Sequence, residues 1–124
     1  MKKLAILILV VVLAGCQSNS KDIKVTTIDA EEAKSMMDQG GVTVIDVRTI
    51  EEYESGHIDG AMLLPLDDIK AGSIGLSGDK SEKILLYCRS GNRSGQAAKI
   101  LAEAGYTNIY DFGGINDWPY EIVK

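Results

Sequence analysis

An apolar segment that ends in a cysteine and leads into a helical pattern constrains the fold of this chain more than any other stretch. Residues 84–87 are bulky and apolar, which is typical of a buried strand. Residues 95–104 are mostly good helix formers followed by Gly105, which predicts a helix with a C-terminal glycine. Strand, tight polar loop and helix in this order indicate a parallel α/β sheet, in which ligands bind beyond the carboxyl ends of the strands.

The loop between that strand and that helix carries the residues with chemistry. They are Cys88, Arg89, Ser90, Gly91, Asn92, Arg93 and Ser94. A cysteine is nucleophilic only as a thiolate, and its pKa falls near cations and helix N-termini. Arg89 and Arg93 supply cations, and residues 90–92 can turn sharply enough for their N–H groups to form an anion-binding nest. We therefore expect an activated sulfur inside an anion cradle; a buried structural cysteine beside two solvated arginines is the alternative.

The first 15 residues have the pattern of an export signal. A short positive segment precedes an apolar run over residues 4–13, which is short for a transmembrane helix. The run ends in Leu13-Ala14-Gly15-Cys16, which resembles the lipobox of bacterial lipoproteins, in which the cysteine is lipidated and becomes the new N-terminus. An ordinary secretory signal and an uncleaved anchor are the alternatives.

The resemblance to lipoproteins implies the domain organisation. It divides the chain into a signal peptide (residues 1–15), a lipidated Cys16 with a polar tether (16–24) and one folded domain (25–124). The protein would then be held by lipid on a membrane of the bacterial cell envelope, outside the cytoplasm. With Cys16 lipidated, Cys88 has no disulfide partner, which suggests that its sulfur is kept for reactivity. The formal net charge of −5 argues against nucleic acid as a partner, and we expect a monomer.

Strand and helix patterns alternate through the rest of the folded domain. Asp29 and Thr49 are expected to cap helices, with Glu32 and Glu52 three residues on as capping-box partners. The expected strands are 25–28, 42–47, 62–65 and 108–111, with helices over 30–39 and up to residue 55, a helical turn over 67–70 and a surface connection over 72–83. This alternation predicts a single α/β domain with a mainly parallel central sheet and helices on both faces.

Four motifs in order resemble the rhodanese family, specifically its single-domain sulfurtransferases. They are Asp46-Val47-Arg48 with Glu52-Tyr53, then Gly56-His57-Ile58-Asp59-Gly60-Ala61, then residues 87–94, and last Gly113-Gly114 with Trp118. The resemblance implies that Cys88 is the nucleophile, which takes a sulfane sulfur from a small anionic donor such as thiosulfate. A Cys88 persulfide would then pass the sulfur to cyanide or a thiol, with no metal or organic cofactor.

Other residues have supporting roles in this interpretation. Asp46 and Arg48 are expected to form an ionic brace beneath the loop. His57 is expected to be a turn residue bonded to the backbone, with a general base as the alternative. We expect Arg89 to face substrate, and Arg93 to brace the loop against an acid such as Asp46. Trp118 is expected to cover the core.

Two other functions remain open from the sequence. Protein tyrosine phosphatases also place Cys and Arg around an anion cradle, but their arginine stands six positions after the cysteine, whereas Arg93 stands five after Cys88. The shorter loop suits a sulfur atom better than a phosphoryl group. A non-enzymatic sulfane-sulfur carrier or docking module could use the same fold and the same loop, because fold does not fix function.

Overall fold

The computed structural model describes residues 24–124, and the predicted signal peptide and Cys16 lie outside them. The strands are β1 (Val25–Thr27), β2 (Val42–Asp46), β3 (Met62–Leu63), β4 (Lys83–Cys88) and β5 (Ile109–Gly114). The helices are α1 (Ala30–Gln39), α2 (Ile50–Ser55), α3 (Leu66–Lys70) and α4 (Asn92–Glu103), followed by a 3₁₀ turn over Ile115–Asp117.

The five strands form one parallel sheet in the order β1-β5-β4-β2-β3. β4 lies at its centre, and its side chains alternate between two apolar layers, as the pleat of a strand requires. Ile84, Leu86 and Cys88 pack with residues of α3 and α4 on one face. Leu85 and Tyr87 pack with residues of α1 and the C-terminal aromatic residues on the other. The predicted parallel sheet with helices on both faces is confirmed.

Local signals in the sequence explain where the first two helices begin. The Asp29 carboxylate accepts a hydrogen bond from the Glu32 N–H at 2.8 Å, so α1 begins as predicted, but the Glu32 side chain does not complete the capping box expected there. Thr49 and Glu52 form a complete capping box at the start of α2. Each cap satisfies N–H groups that have no partner within their helix.

Among the described residues, no helix is both long enough and apolar enough to cross a membrane.

Two predicted boundaries near the cysteine loop are wrong. α4 begins at Asn92, not at Gly95, because Gly91 is its N-cap in a left-handed conformation (φ 103°) and caps without a side chain. Asn92, Arg93 and Ser94 therefore belong to the first turn of the helix. β5 continues through Gly114, three residues beyond the predicted end at Asp111, after an irregularity in its pairing with β4.

Candidate active site

The Cys88 sulfur lies at the carboxyl end of the central strand, at the point where α4 begins. The cysteine is 1% exposed. The Gly91 N–H donates to Sγ at 2.9 Å, and the Ser94 Oγ lies 3.6 Å from Sγ. Gly91 makes this possible because its left-handed backbone turns the chain back over the sulfur. The loop and the positive end of a 12-residue helix thus meet at one atom, as the sequence predicted.

Opposing effects act on the ionisation of this thiol. Burial disfavours the thiolate and is the largest single influence, but the hydrogen bonds from Ser94, Gly91 and Ser90 together outweigh it. The pKa of Cys88 is therefore lowered. Hydrogen bonds that favour the charged form of a buried group have this effect in general, and a lowered pKa increases the thiolate fraction available for attack.

Strand β5 supports the loop from below. The Arg89 carbonyl lies so close to Gly114 that a Cβ there would collide with it. The Asn116 N–H donates to the same carbonyl at 3.2 Å. This carbonyl is thus engaged by the chain segment after β5, whereas the N–H groups of the loop face the sulfur. The Gly113-Gly114 pair is therefore part of the site.

Asp46 and Arg48 form an ion pair, as the sequence predicted; its hydrogen bonds join β2 to α2, and the predicted bracing of the loop stays a prediction. Both side chains are buried, and the Arg48 guanidinium donates to both Asp46 carboxylate oxygens at 2.7–3.1 Å. Arg48 also donates to the Gly56 carbonyl at 2.7 Å, which ties the end of β2 to the end of α2. Both oxygens of the Asp46 carboxylate thus accept hydrogen bonds from Arg48.

Arg93 therefore does not brace the loop against Asp46, and that expectation is wrong. Its guanidinium instead donates to both Glu52 oxygens at 2.6 and 2.9 Å, which joins the first turn of α4 to the first turn of α2. The hydrogen bonds from Arg93 lower the pKa of Glu52 to about 2, against a smaller opposing effect of burial. Arg93 is a brace, as predicted, but with a different partner.

The two loop arginines have different surroundings. Within residues 24–124 the exposed Arg89 side chain forms no ion pair. It lines an open cavity of about 270 Å³ beside the loop. The other residues that line this cavity are Arg48, Glu52, Ser55, Ile115 and Asn116. The other predicted loop residues, Ser90 and Asn92, lie in the turn and at the first position of α4.

His57 and Trp118 lie away from the sulfur. The His57 Nδ1 is 2.9 Å from the Tyr53 carbonyl, and its backbone pairs with Val123. It is a turn residue in contact with backbone, as the first interpretation had it. Trp118 is nearly buried against Phe112 and covers the core.

Asp111 is a polar residue of the site that was not predicted from the sequence. Its Oδ1 accepts hydrogen bonds from the Ser94 hydroxyl at 2.8 Å and the Gly113 N–H at 3.0 Å. The available signal was an aspartate near the carboxyl end of a predicted strand, which is the edge where Cys88 lies.

Over residues 24–124, no group of three or more His, Cys, Asp or Glu side chains is placed to hold a metal ion.

Comparison with known proteins agrees with this geometry. The family model for the rhodanese-like domain matches residues 29–120. Thiosulfate sulfurtransferase PspE of Escherichia coli is 41% identical over 80 residues, which cover 64% of this chain and 77% of that protein. The putative sulfur carrier protein YrkF of Bacillus subtilis is 31% identical over 101 residues. That match covers 81% of this chain but 53% of YrkF, so the chain spans about half of that relative.

A solved structure described as a rhodanese with anions from E. coli has the same fold. Its TM-score is 0.61 at 38% identity, and the match covers 67% of this chain and 98% of the other. The match in fold, the span of the family model and the identity to curated relatives all point the same way. The chain belongs to the rhodanese family of sulfurtransferases.

Proposed function

We propose that this protein takes a sulfane sulfur from a small anionic donor such as thiosulfate onto Cys88 and passes it to cyanide or a thiol. The observation that carries the proposal is the Cys88 sulfur, which faces loop N–H donors at the N-terminus of α4. These groups stabilise negative charge at one position, before and after sulfur transfer. The similarity to a thiosulfate sulfurtransferase supports the choice of donor.

In the first half-reaction, the Cys88 thiolate attacks the outer sulfur of thiosulfate. A bond forms between Sγ and that sulfur, the S–S bond of the donor breaks, and sulfite leaves with the electron pair. The product is a Cys88 persulfide whose negative charge lies on the terminal sulfur. The exposed cation of Arg89, next to Cys88 in the loop, attracts the doubly charged donor.

In the second half-reaction, the acceptor attacks the terminal sulfur. Cyanide takes that sulfur as thiocyanate, and the electron pair of the broken S–S bond returns to Sγ, which leaves as thiolate. The lowered pKa of Cys88 makes it a better leaving group in this step. Because the enzyme alternates between two covalent states, we expect ping-pong kinetics.

The test uses the full chain with Cys16→Ser in detergent, so that Cys88 is its only thiol. After thiosulfate, the intact mass should rise by one sulfur atom, and cyanide should remove that gain. Cys88→Ser in the same background should show neither the mass gain nor thiocyanate production. Thiocyanate formation by the serine variant at the wild-type rate would rule out Cys88 as the nucleophile.

A sulfur carrier is the second candidate, and the relationship to the putative sulfur carrier YrkF favours it. A carrier would load Cys88 once but turn over slowly with small acceptors. Steady-state thiocyanate production with excess thiosulfate and cyanide separates the two. Many turnovers per Cys88 support the enzyme, and a single stoichiometric burst supports the carrier.

The arrangement of Arg93 also argues against a phosphatase. In the described fold its guanidinium is held by Glu52, so it is not free to bind a phosphoryl group at the sulfur. We expect no Cys88-dependent hydrolysis of an aryl phosphate. Efficient hydrolysis that Cys88→Ser abolishes would favour the phosphatase function instead.

We also propose that lipid on Cys16 anchors the protein to a membrane of the cell envelope. The support is the lipobox-like sequence after a short apolar run. Several acyl chains give stable anchoring, since each buried methylene contributes about 0.8 kcal/mol. Cys16→Ser should leave an unprocessed precursor in the producing cell. A processed protein that is soluble without detergent in that variant would contradict the anchor.

A further inference from the structure

One hydroxyl group lies between the reactive sulfur and a carboxylate. Ser94 is fully buried, and its Oγ lies 3.6 Å from the Cys88 Sγ and 2.8 Å from the Asp111 Oδ1. The same oxygen lies 3.1 Å from the Gly91 carbonyl and 3.4 Å from the Gly113 carbonyl. As a thiol, Cys88 donates to Ser94 Oγ, and only as a thiolate can its sulfur accept. A hydroxyl has one proton to donate, so the thiolate would compete for it with the carboxylate and the two carbonyls, and the shortest contact is with the carboxylate.

The position of Asp111 is itself fixed by the chain that supports the loop. The Gly113 N–H donates to Asp111 Oδ1 at 3.0 Å, so the carboxylate is held by its own backbone two residues on. Gly113 and Gly114 in turn lie against the loop at Gly91 and Arg89. Asp111 is therefore tied to the part of β5 that packs under the sulfur.

We propose that Asp111 is a positioning residue that competes with the Cys88 sulfur for the Ser94 hydroxyl proton. The Ser94 hydroxyl donates its hydrogen bond to Asp111 while Sγ is uncharged, as a thiol or within the persulfide. It donates to Sγ instead when Sγ becomes a thiolate. The inference rests on the sulfur transfer proposed above. Asp111 touches neither donor nor acceptor in this account; it acts through Ser94.

The charge on Sγ changes twice in each catalytic cycle, and the hydroxyl follows it. When Sγ attacks the donor, its negative charge moves to the terminal sulfur and sulfite leaves, so Sγ becomes neutral and the hydroxyl turns to Asp111. When the acceptor takes the terminal sulfur, the electron pair returns to Sγ and the hydroxyl can donate to it. Asp111 thus favours the persulfide over the free thiolate, which guards against early loss of the sulfur.

Other charges also face this sulfur, and the experiment must separate them from Asp111. Arg93 from α4 interacts electrostatically with the Cys88 thiolate, while it is bonded to Glu52 from α2. Arg89 lies next to Cys88 in the loop, and the buried pair of Asp46 and Arg48 follows β2 at the same sheet edge. None of these groups hydrogen-bonds the Ser94 hydroxyl within the described fold. Removal of Ser94 therefore distinguishes their effect on the Cys88 pKa from the effect that Asp111 has through the Ser94 hydroxyl.

The test measures the thiol pKa of Cys88 from the pH dependence of iodoacetamide alkylation. It uses the full chain with Cys16→Ser in detergent. Asp111→Asn should lower the pKa by at least about half a unit, a threefold change in ionisation, because a neutral amide oxygen competes with the thiolate for the hydroxyl less strongly than a carboxylate does. Ser94→Ala should raise the pKa. Asp117→Asn removes an equal charge from the exposed turn after β5 and should leave the pKa unchanged.

The double variant decides whether Asp111 acts through the hydroxyl. In the Ser94→Ala background, Asp111→Asn should shift the pKa by less than half as much as it does alone. An equal shift in both backgrounds would show that the carboxylate acts only through space, and would overturn the proposal. No shift beyond that of Asp117→Asn would overturn it as well.

A second measurement follows the persulfide directly. Cyanide should discharge the preloaded persulfide of Asp111→Asn faster than that of the parent, by up to about threefold for each half unit of pKa, since Sγ is then the better leaving group. Asp111→Ser, which also removes the carboxylate, should change both readouts in the same direction and serves if the asparagine variant does not fold. Alkylation requires no sulfur transfer, so a chain that never loads sulfur would refute the proposed function while the pKa measurement still tests Asp111.

Discussion

Two ion pairs flank the cysteine loop, and they differ in almost every physical respect. Asp46 and Arg48 are two residues apart, with side chains 0% and 6% exposed. Glu52 and Arg93 are 41 residues apart, with side chains 26% and 31% exposed. The inner pair is local in sequence and deep in the fold, whereas the outer pair is distant in sequence and close to solvent.

The difference in burial gives the two pairs different roles. The inner pair is buried and hydrogen-bonded, so its effect on stability appears mainly when one partner is removed and the other is left charged in the interior. The outer pair is partly screened by water, so its contribution to stability is small. Arg93 nevertheless acts on the Cys88 thiolate. We infer that the inner pair supports the fold, while the outer pair influences the chemistry of the sulfur.

The largest expected effect is on the inner pair. Arg48→Met leaves the Asp46 carboxylate buried without its partner, and should lower the free energy of unfolding by about 3–5 kcal/mol. Chemical denaturation of the full chain measures this. Asp46→Asn combined with Arg48→Met removes the stranded charge and should recover part of the loss. A single variant as stable as the parent would show that water reaches Asp46.

The outer pair should respond more weakly in stability and more clearly at the sulfur. Arg93→Ala should cost at most about 1 kcal/mol of unfolding free energy and should raise the Cys88 pKa, because a nearby cation is lost. Glu52→Gln can retain the capping box at Thr49 but no longer neutralises Arg93, so it should lower the Cys88 pKa. Alkylation rates against pH measure both. A shift of the Cys88 pKa in the same direction in both variants would contradict the inference that the outer pair acts on the sulfur through its charges.

The inner pair was predictable from the sequence, and the partner in the outer pair was not. Asp46 and Arg48 lie at the end of a recognisable buried strand, where two opposite charges are expected to form an ion pair. Glu52 could be identified as a capping residue and as part of a family motif but not as the partner of Arg93, because that contact depends on how α2 and α4 sit above the sheet edge. Assigning Asp46 to Arg93 failed because a carboxylate two residues from an arginine is satisfied locally.

The contrast between local and distant contacts also explains which other residues of the site could be predicted. Cys88, Gly91 and the dipole end of the helix follow from the local strand-loop-helix pattern. The earlier start of α4 escaped prediction because Gly91 caps the helix through its backbone alone. Asp111 escaped because its role depends on β5 being the neighbour of β4, and strand order is not written in any single segment. The reactive residues could be predicted from local sequence, whereas contacts between distant elements could be identified only from the fold.

The contribution of the outer pair to stability should decrease gradually as the pH falls. The folded-state pKa of Glu52 is about 2, below the ordinary value of 4.5, so its contribution to stability is present above pH 4.5 and is lost as the pH falls from 4.5 towards 2. The difference in unfolding free energy between the parent and Glu52→Gln should shrink over this window. Urea denaturation at several pH values measures it. A difference that stays constant down to pH 2 would contradict the depressed pKa.

The smallest effect on stability should come from Arg89, the loop arginine that forms no ion pair within residues 24–124. Its backbone carbonyl accepts a hydrogen bond from Asn116, but its side chain is exposed, so Arg89→Ala should melt like the parent. The variant should instead raise KM for thiosulfate. It should also flatten the dependence of kcat/KM on ionic strength, since steering by an exposed charge is screened over about 8 Å at physiological salt.

Arg89→Lys is the matched control, because it keeps the charge and loses only the planar guanidinium. If charge alone attracts the donor, the lysine variant should keep the salt dependence of the parent, and KM should rise only in the alanine variant. If both variants lose thiosulfate use equally, the guanidinium binds the donor through directed hydrogen bonds. If Arg89→Ala unfolds while Arg93→Ala melts like the parent, the roles assigned to the two loop arginines are reversed.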